Sequence, residues 1–164
     1  LKVTRIKVKK KVNYLVCVNA EKYSEVALHF ACNLAKRNNG SVIILHVIES
    51  TDFQTTIGAI ADKMREEIFQ EAEDLLKHLA DKVKKWSDIM PVIVVREGLI
   101  ENEIISLVEE DRGINMLVVG TAPEKSLLKS KVLPAIVASL GSKLQIPMLI
   151  VPGNLTTKQI DELT

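Results

Sequence analysis

The 164-residue chain has only two cysteines, Cys17 and Cys32. Both stand in apolar surroundings without metal-ligand spacing, which sets aside a disulfide framework or a redox pair and leaves plain packing in a reducing compartment. An excess of either charge is also missing. With 22 basic and 21 acidic side chains the formal net charge is +1, so nothing global calls for nucleic acid or an anionic membrane as partner. Long apolar runs are absent: stretches such as Val42 to Val47 are far too short to cross a bilayer, and no charged start leads into an apolar signal core. A cytoplasmic chain with no direct membrane insertion is the expectation. The three histidines, His29, His46 and His78, have no cysteine, serine or aspartate at a motif spacing, so neither a metal site nor a catalytic triad is read from them. The phosphate loop GxxxxGK[ST], the dinucleotide fingerprint GxGxxG and the nucleophile elbow GxSxG do not occur. No metal, no cofactor and no enzyme activity are expected.

What is present is alternation. Short Val/Ile-rich runs at Val12–Val18, Ser41–Ile48, Met90–Val95, Asn115–Gly120 and Pro147–Val151 alternate with longer stretches of helical periodicity. Nearly continuous apolar strands of this kind are those covered by helices on both faces, and five of them separated by helices make a doubly wound parallel sheet. The first helix is expected to begin near Ser24 as N-cap, bury Val26, Phe30 and Leu34, and stop at Asn38-Asn39-Gly40. The second places Ile57, Ile60, Met64, Ile68, Ala72, Leu75, Leu79, Val83 and Trp86 on one stripe facing the sheet. A third runs over Glu101–Asp111 and ends at Gly113. A fourth covers Pro134–Leu144, with the proline tolerated in the first turn because its missing N–H has no helical partner there. Gly141-Ser142, in the last turns of that helix, reads as a small-residue packing contact.

No repeat, low-complexity stretch or linker divides the chain. The organisation expected is a basic arm over 1–11, one domain over 12–152 and a tail over 153–164 forming one helical turn. The arm, with Lys2, Arg5, Lys7, Lys9 and Lys10, reads as a solvated lead-in. Together with Leu1 it also fits a domain released from a longer chain, such as a cytoplasmic regulatory domain behind a membrane transporter.

In an open doubly wound sheet, ligands bind beyond the carboxyl ends of the strands where the strand order reverses. The residues to read are therefore Asn19-Ala20-Glu21, Glu49-Ser50-Thr51, Arg96-Glu97-Gly98 and Gly120-Thr121-Ala122-Pro123. They are polar but form no catalytic set.

The ordered set VCVNAEKYSEVAL, LAKRNNG, SVIILHVIES, a long amphipathic helix, VIVVREG, MLVVGTA and IPMLIVP resembles the universal stress protein family, from Val12 to Pro152. The resemblance implies a Rossmann-like, adenine nucleotide alpha hydrolase-like α/β fold: a five-stranded parallel sheet in the order 3-2-1-4-5, flanked by helices. Some members bind ATP and some do not. Binders carry an Asp after the first strand, an adenine contact late in the second, and a GxxGx₉G[ST] loop after the fourth whose backbone N–H groups wrap phosphate. Here Asn19 takes the place of the Asp, Val47 matches the adenine position and Gly120 matches the first glycine. Pro123 replaces the second glycine and Leu133-Pro134-Ala135 stands around the third, which removes N–H donors from the cradle. The resemblance thus implies a vestigial or weak nucleotide or anion site at Asn19, Val47, Gly120, Lys125, Ser126, Lys129 and Ser130. The lysines and serines of that loop, with Lys131, can hold phosphate as point charges. A solvated basic loop accounts for the same residues.

The family's strand order puts the last strand at a sheet edge with no charge to guard it. A two-fold homodimer paired through Met148, Leu149, Ile150 and Val151 is expected, because an unguarded edge templates association and a two-fold axis closes it. The rival arrangement folds the tail back over that edge. The function expected is a regulatory or stress-response module acting through protein contacts, with a nucleotide-binding member as the alternative.

Overall fold

The computed structural model describes residues 11–49, 58–122 and 132–164. The elements alternate as β1 (Asn13–Cys17), α1 (Lys22–Asn38), β2 (Ser41–Glu49), α2 (Ala59–Ser87), β3 (Val92–Gly98), α3 (Ile100–Glu110), β4 (Met116–Thr121), α4 (Val132–Lys143), β5 (Met148–Pro152) and α5 (Thr157–Leu163). The five strands form one sheet in the order β3-β2-β1-β4-β5, every neighbouring pair parallel; the alternation of the sequence predicts the parallel sheet, and the family resemblance implies its order.

Side chains alternate across each strand, so the central strands build two cores. Tyr14, Val16 and Val18 of the first strand segment join Val42, Ile44 and Val118 under α1 and α2. Leu15, Ile43, Leu45, Leu117 and Val119 join Ile104, Leu107 and Leu140 under α3 and α4. Fully burying a large aliphatic side chain of this kind contributes about 2 kcal/mol, which is why β1, β2 and β4 read so clearly as apolar runs. Cys17 lies in the second core and Cys32 in the first, and burial pushes both thiols up to about 12, so neither is reactive.

Several local expectations are corrected. Ser24 does not cap α1. The N-cap is Glu21, and Ser24 lies buried inside the first turn, its hydroxyl bonded to the carbonyls of Asn19 and Glu21. At the other end Asn39 stops the helix in the left-handed region at φ 52°, as the Asn-Asn-Gly run suggested.

The apolar stripe of α2 faces the sheet only in its C-terminal half. Ala72, Leu79 and Val83 are buried and Leu75 and Trp86 pack against the core, joined by Leu76 beyond the expected stripe, whereas Ile60 and Met64 are exposed. The reason is length. A 29-residue helix is about 43 Å long, while even the nine-residue β2 spans about 30 Å, so the first turns of α2 have no sheet beneath them. Ile57, also assigned to this stripe, lies outside the described residues.

The third strand is displaced from Met90–Val95 to Val92–Gly98. Its ladder with β2 runs from Ile43↔Val92 to Glu49↔Gly98, and Met90, ahead of Pro91, is 78% exposed. Nor is β3 covered on both faces, since Val92 and Ile93 are exposed along the sheet edge. Hydrophobicity marked the segment but not which residues pair. Gly141 and Ser142 are both exposed, a Cβ on Gly141 would meet nothing within 4 Å among the described residues, and the Ser142 hydroxyl turns back to the Ser139 carbonyl, so no packing contact by the pair is seen there.

The tail forms more than one turn. Thr156 and Gln159 make a reciprocal capping box at the start of α5, Ile160 is buried, and Asn33 of α1 donates to Asp161 and Thr164. The tail therefore docks on α1, and the arrangement that folds it over β5 is not adopted.

Candidate functional site

The strand order reverses between β1 and β4, so the crevice above their carboxyl ends is where topology places a ligand. Asn19 follows β1 and is exposed. Its Nδ2 donates to the Tyr23 hydroxyl at 2.9 Å, and its Oδ1 accepts the Glu21 N–H at 3.0 Å. The backbone N–H of Asn19 donates to Ser24 Oγ at 3.2 Å. The side chain thus forms an Asx-turn that launches α1. One amide hydrogen and one lone pair remain for anything outside.

Val47, late in β2, is 8% exposed and stands opposite Arg96 of β3. Its neighbour His46 is half-buried and tied through Nδ1 to the Val18 carbonyl at 3.0 Å. Gly120 lies inside β4, and a Cβ there would meet the Tyr23 carbonyl oxygen at 2.4 Å. Its missing side chain is thus required by the close approach of α1 to β4 whether or not phosphate ever visits. Lys125, Ser126, Lys129 and Ser130, with Pro123 and Lys131, lie outside the described residues.

The polar residues assigned to the end of the third strand belong to β3 itself and are already engaged. Arg96 grips Glu110 through its two terminal guanidinium nitrogens, with Glu103 at 3.7 Å. This hydrogen-bonded pairing raises the Arg96 pKa and lowers that of Glu110. Glu97 pairs with Arg65 of α2 at 2.6 Å. These ion pairs clip α2 and α3 to the sheet and hold no reacting geometry. Among the described residues no group of histidine, cysteine or carboxylate side chains could hold a metal ion, and no helix is long and apolar enough to cross a membrane.

Tyr23 is the residue that sequence reasoning missed. It accepts from Asn19, its carbonyl stands over Gly120, and its Cβ lies 2.3 Å from where a Cβ on Gly153 would fall. No motif points to it, because its part depends on β4 and the start of the tail approaching the same helical turn.

No curated protein matches the chain by sequence. Among solved structures it is similar to the universal stress protein UspA from Lactobacillus plantarum, at 16% identity and TM-score 0.69 over 87% of this chain and 98% of that one. A universal stress protein family protein from Arabidopsis thaliana with AMP bound matches at 16% identity and TM-score 0.61, covering 86% and 91%. A universal stress protein in complex with cAMP matches at 15% identity and TM-score 0.58, covering 88% and 98%. At such identities these likenesses establish the fold alone. The universal stress protein family model matches residues 13–152, and with that match spanning most of the chain, the protein belongs to the universal stress protein family.

Proposed function

We propose that this chain is a cytoplasmic regulatory or stress-response module that acts through protein contacts as a homodimer, with ATP binding weak or lost and no catalysis of its own. The observation that carries this reading is Asn19: where the family's ATP binders resemble one another in an acid, this chain has an uncharged amide engaged with Tyr23 and Glu21. The prolines at 123 and 134 point the same way, because each lacks a backbone N–H at or beside a position where the family's phosphate-binding motif has a glycine. Mg-ATP is expected to bind with a Kd no tighter than about 100 μM, or about 5.5 kcal/mol. Calorimetry tests it, and a low-micromolar constant overturns it.

Pairing through β5 is supported by its outer edge. Ile150 is 43% exposed and Met148 and Leu149 are half-buried, while the tail that could shield them docks on α1 instead. Val151, at 1% exposure, can offer a partner its backbone but not its side chain. Sedimentation at micromolar concentration is expected to give a dimer that Ile150→Pro breaks. A monomer, or a dimer that survives Ile150→Pro and is lost in Ile93→Lys on the opposite edge, removes the β5 assignment.

A second reading, an adenine-nucleotide binder with an altered phosphate loop, is favoured by the AMP and cAMP in the relatives' crystals and by the hydrogen-bonding capacity left on Asn19. Adenine absorbance released on denaturing the purified protein would select this reading over the first.

A further inference from the structure

A groove of about 780 Å³ opens on the outer side of the α1–α2 layer, roofed by the start of the C-terminal tail. That size fits a drug-sized small molecule, and the groove lies over α1, α2 and the start of the tail, with neither Asn19 nor Gly120 in its lining. We propose that it binds a small organic anion with a flat apolar body and a carboxylate or phosphate head.

Charge supplies the first reason. Lys22, Lys82, Lys85 and Glu25 line the groove, three ammonium groups against one carboxylate. Glu25 is taken by Lys82 at 2.7 Å, and among the described residues Lys22 and Lys85 have no ion-pair partner. Lys22 from α1 and Lys85 from α2 line one concavity, and like charges gathered around a cleft attract an acid head together more strongly than either does alone.

The second reason is the floor. Trp86 and His29 stack with ring centroids 4.3 Å apart and planes 12° from parallel, and Val26 and Leu155 extend the same apolar surface. Burial lowers the His29 pKa against the opposing pull of Asp161 and Glu25, so at neutral pH the stack is an uncharged aromatic wall. An apolar body rests on it while the head reaches the lysines. A bare inorganic anion meets only the lysines and a neutral hydrocarbon only the aromatic floor, so neither uses the whole site.

The third reason is that the roof is fixed. The hydrogen bonds from Asn33 to Asp161 and Thr164 and the buried Ile160 hold the tail against α1, while the capping box at Thr156 fixes the start of its helix, so the groove exists before any ligand arrives and a binder does not have to order it.

Trp86 is the only tryptophan, so its indole N–H gives a single resonance that reports on the groove. Titration of the full chain with 1-naphthoate is expected to move that resonance to saturation. In the exposed double variant Lys22→Glu/Lys85→Glu the affinity is expected to fall about tenfold or more, and the neutral isostere 1-naphthylmethanol is expected to bind wild-type protein as weakly. Inorganic phosphate alone is expected to leave the resonance in place. A silent Trp86 resonance, equal binding by wild type and double variant, or equal binding of the naphthoate and the alcohol overturns the proposal. An unchanged amide spectrum of the double variant, whose substituted side chains are both exposed, shows that the fold is not what failed.

Discussion

Above β1 and β4, Asn19 is hydrogen-bonded to Tyr23 and Glu21, and the space over Gly120 is filled by the Tyr23 carbonyl. On the outer side of the same helical turn, Lys22 faces a groove where two of three ammonium groups have no ion-pair partner among the described residues. One concavity is where topology sends a ligand, but its polar groups hold the fold together. The other is assigned nothing by topology, yet its polar groups are available. A fold's customary site and the place where a chain retains recognition chemistry can therefore separate, because hydrogen bonds used to position an element are only partly open to a guest.

The largest expected effect tests whether Gly120 serves packing. Gly120→Ala places a methyl group 2.4 Å from the Tyr23 carbonyl oxygen and is expected to cost about 3 kcal/mol in urea unfolding, as overpacking of a rigid backbone contact does. A variant as stable as wild type would return this glycine to a purely nucleotide-related reading. Next in size is Asn19→Ala, which removes the turn that launches α1 and the donor to Tyr23; a loss of about 1 kcal/mol is expected by the same measurement. A loss below the error of that measurement would mean the crevice amide is free for a ligand after all.

The smallest effect concerns the groove. Burial lowers the His29 pKa, while Asp161 and Glu25, the latter paired with Lys82, pull the other way. The unfolded chain therefore binds this proton more readily than the folded one, and stability is lost as pH falls below the ordinary histidine value of about 6.5. A thermal midpoint that drops between pH 7 and 5.5 in wild type, and drops less in His29→Phe, is the expected result. The two drops being equal would show that His29 is not desolvated against Trp86.

Much of the crevice is legible in the sequence. Asn19, Val47 and Gly120 fall at the ends of runs whose composition marks them as strands, and the sheet order follows from the family those runs resemble. What Asn19 does there is not legible, since its partner Tyr23 is four residues on and looks like any helical residue. The groove leaves no trace in the sequence at all. Trp86 stands there only as the last member of an apolar stripe, His29 as an isolated histidine and the tail as a single turn. Their meeting requires two helices lying side by side and a third segment crossing them. The outer edge of β5, where we propose the dimer forms, is legible in part: Ile150 is exposed, but Val151 is buried in the core.

By itself the sequence determined the class of fold, because burial on both faces writes itself as unbroken apolar runs and helix amphipathicity as a period, and both signals are local. It determined the stop of α1 at Asn39 for the same reason. Only the tertiary structure decided which half of α2 is covered, where β3 begins its ladder, why residue 120 must be glycine and where the tail docks. Each of those depends on the distance between segments remote in the chain, and that distance is a property of packed volumes which no local pattern carries.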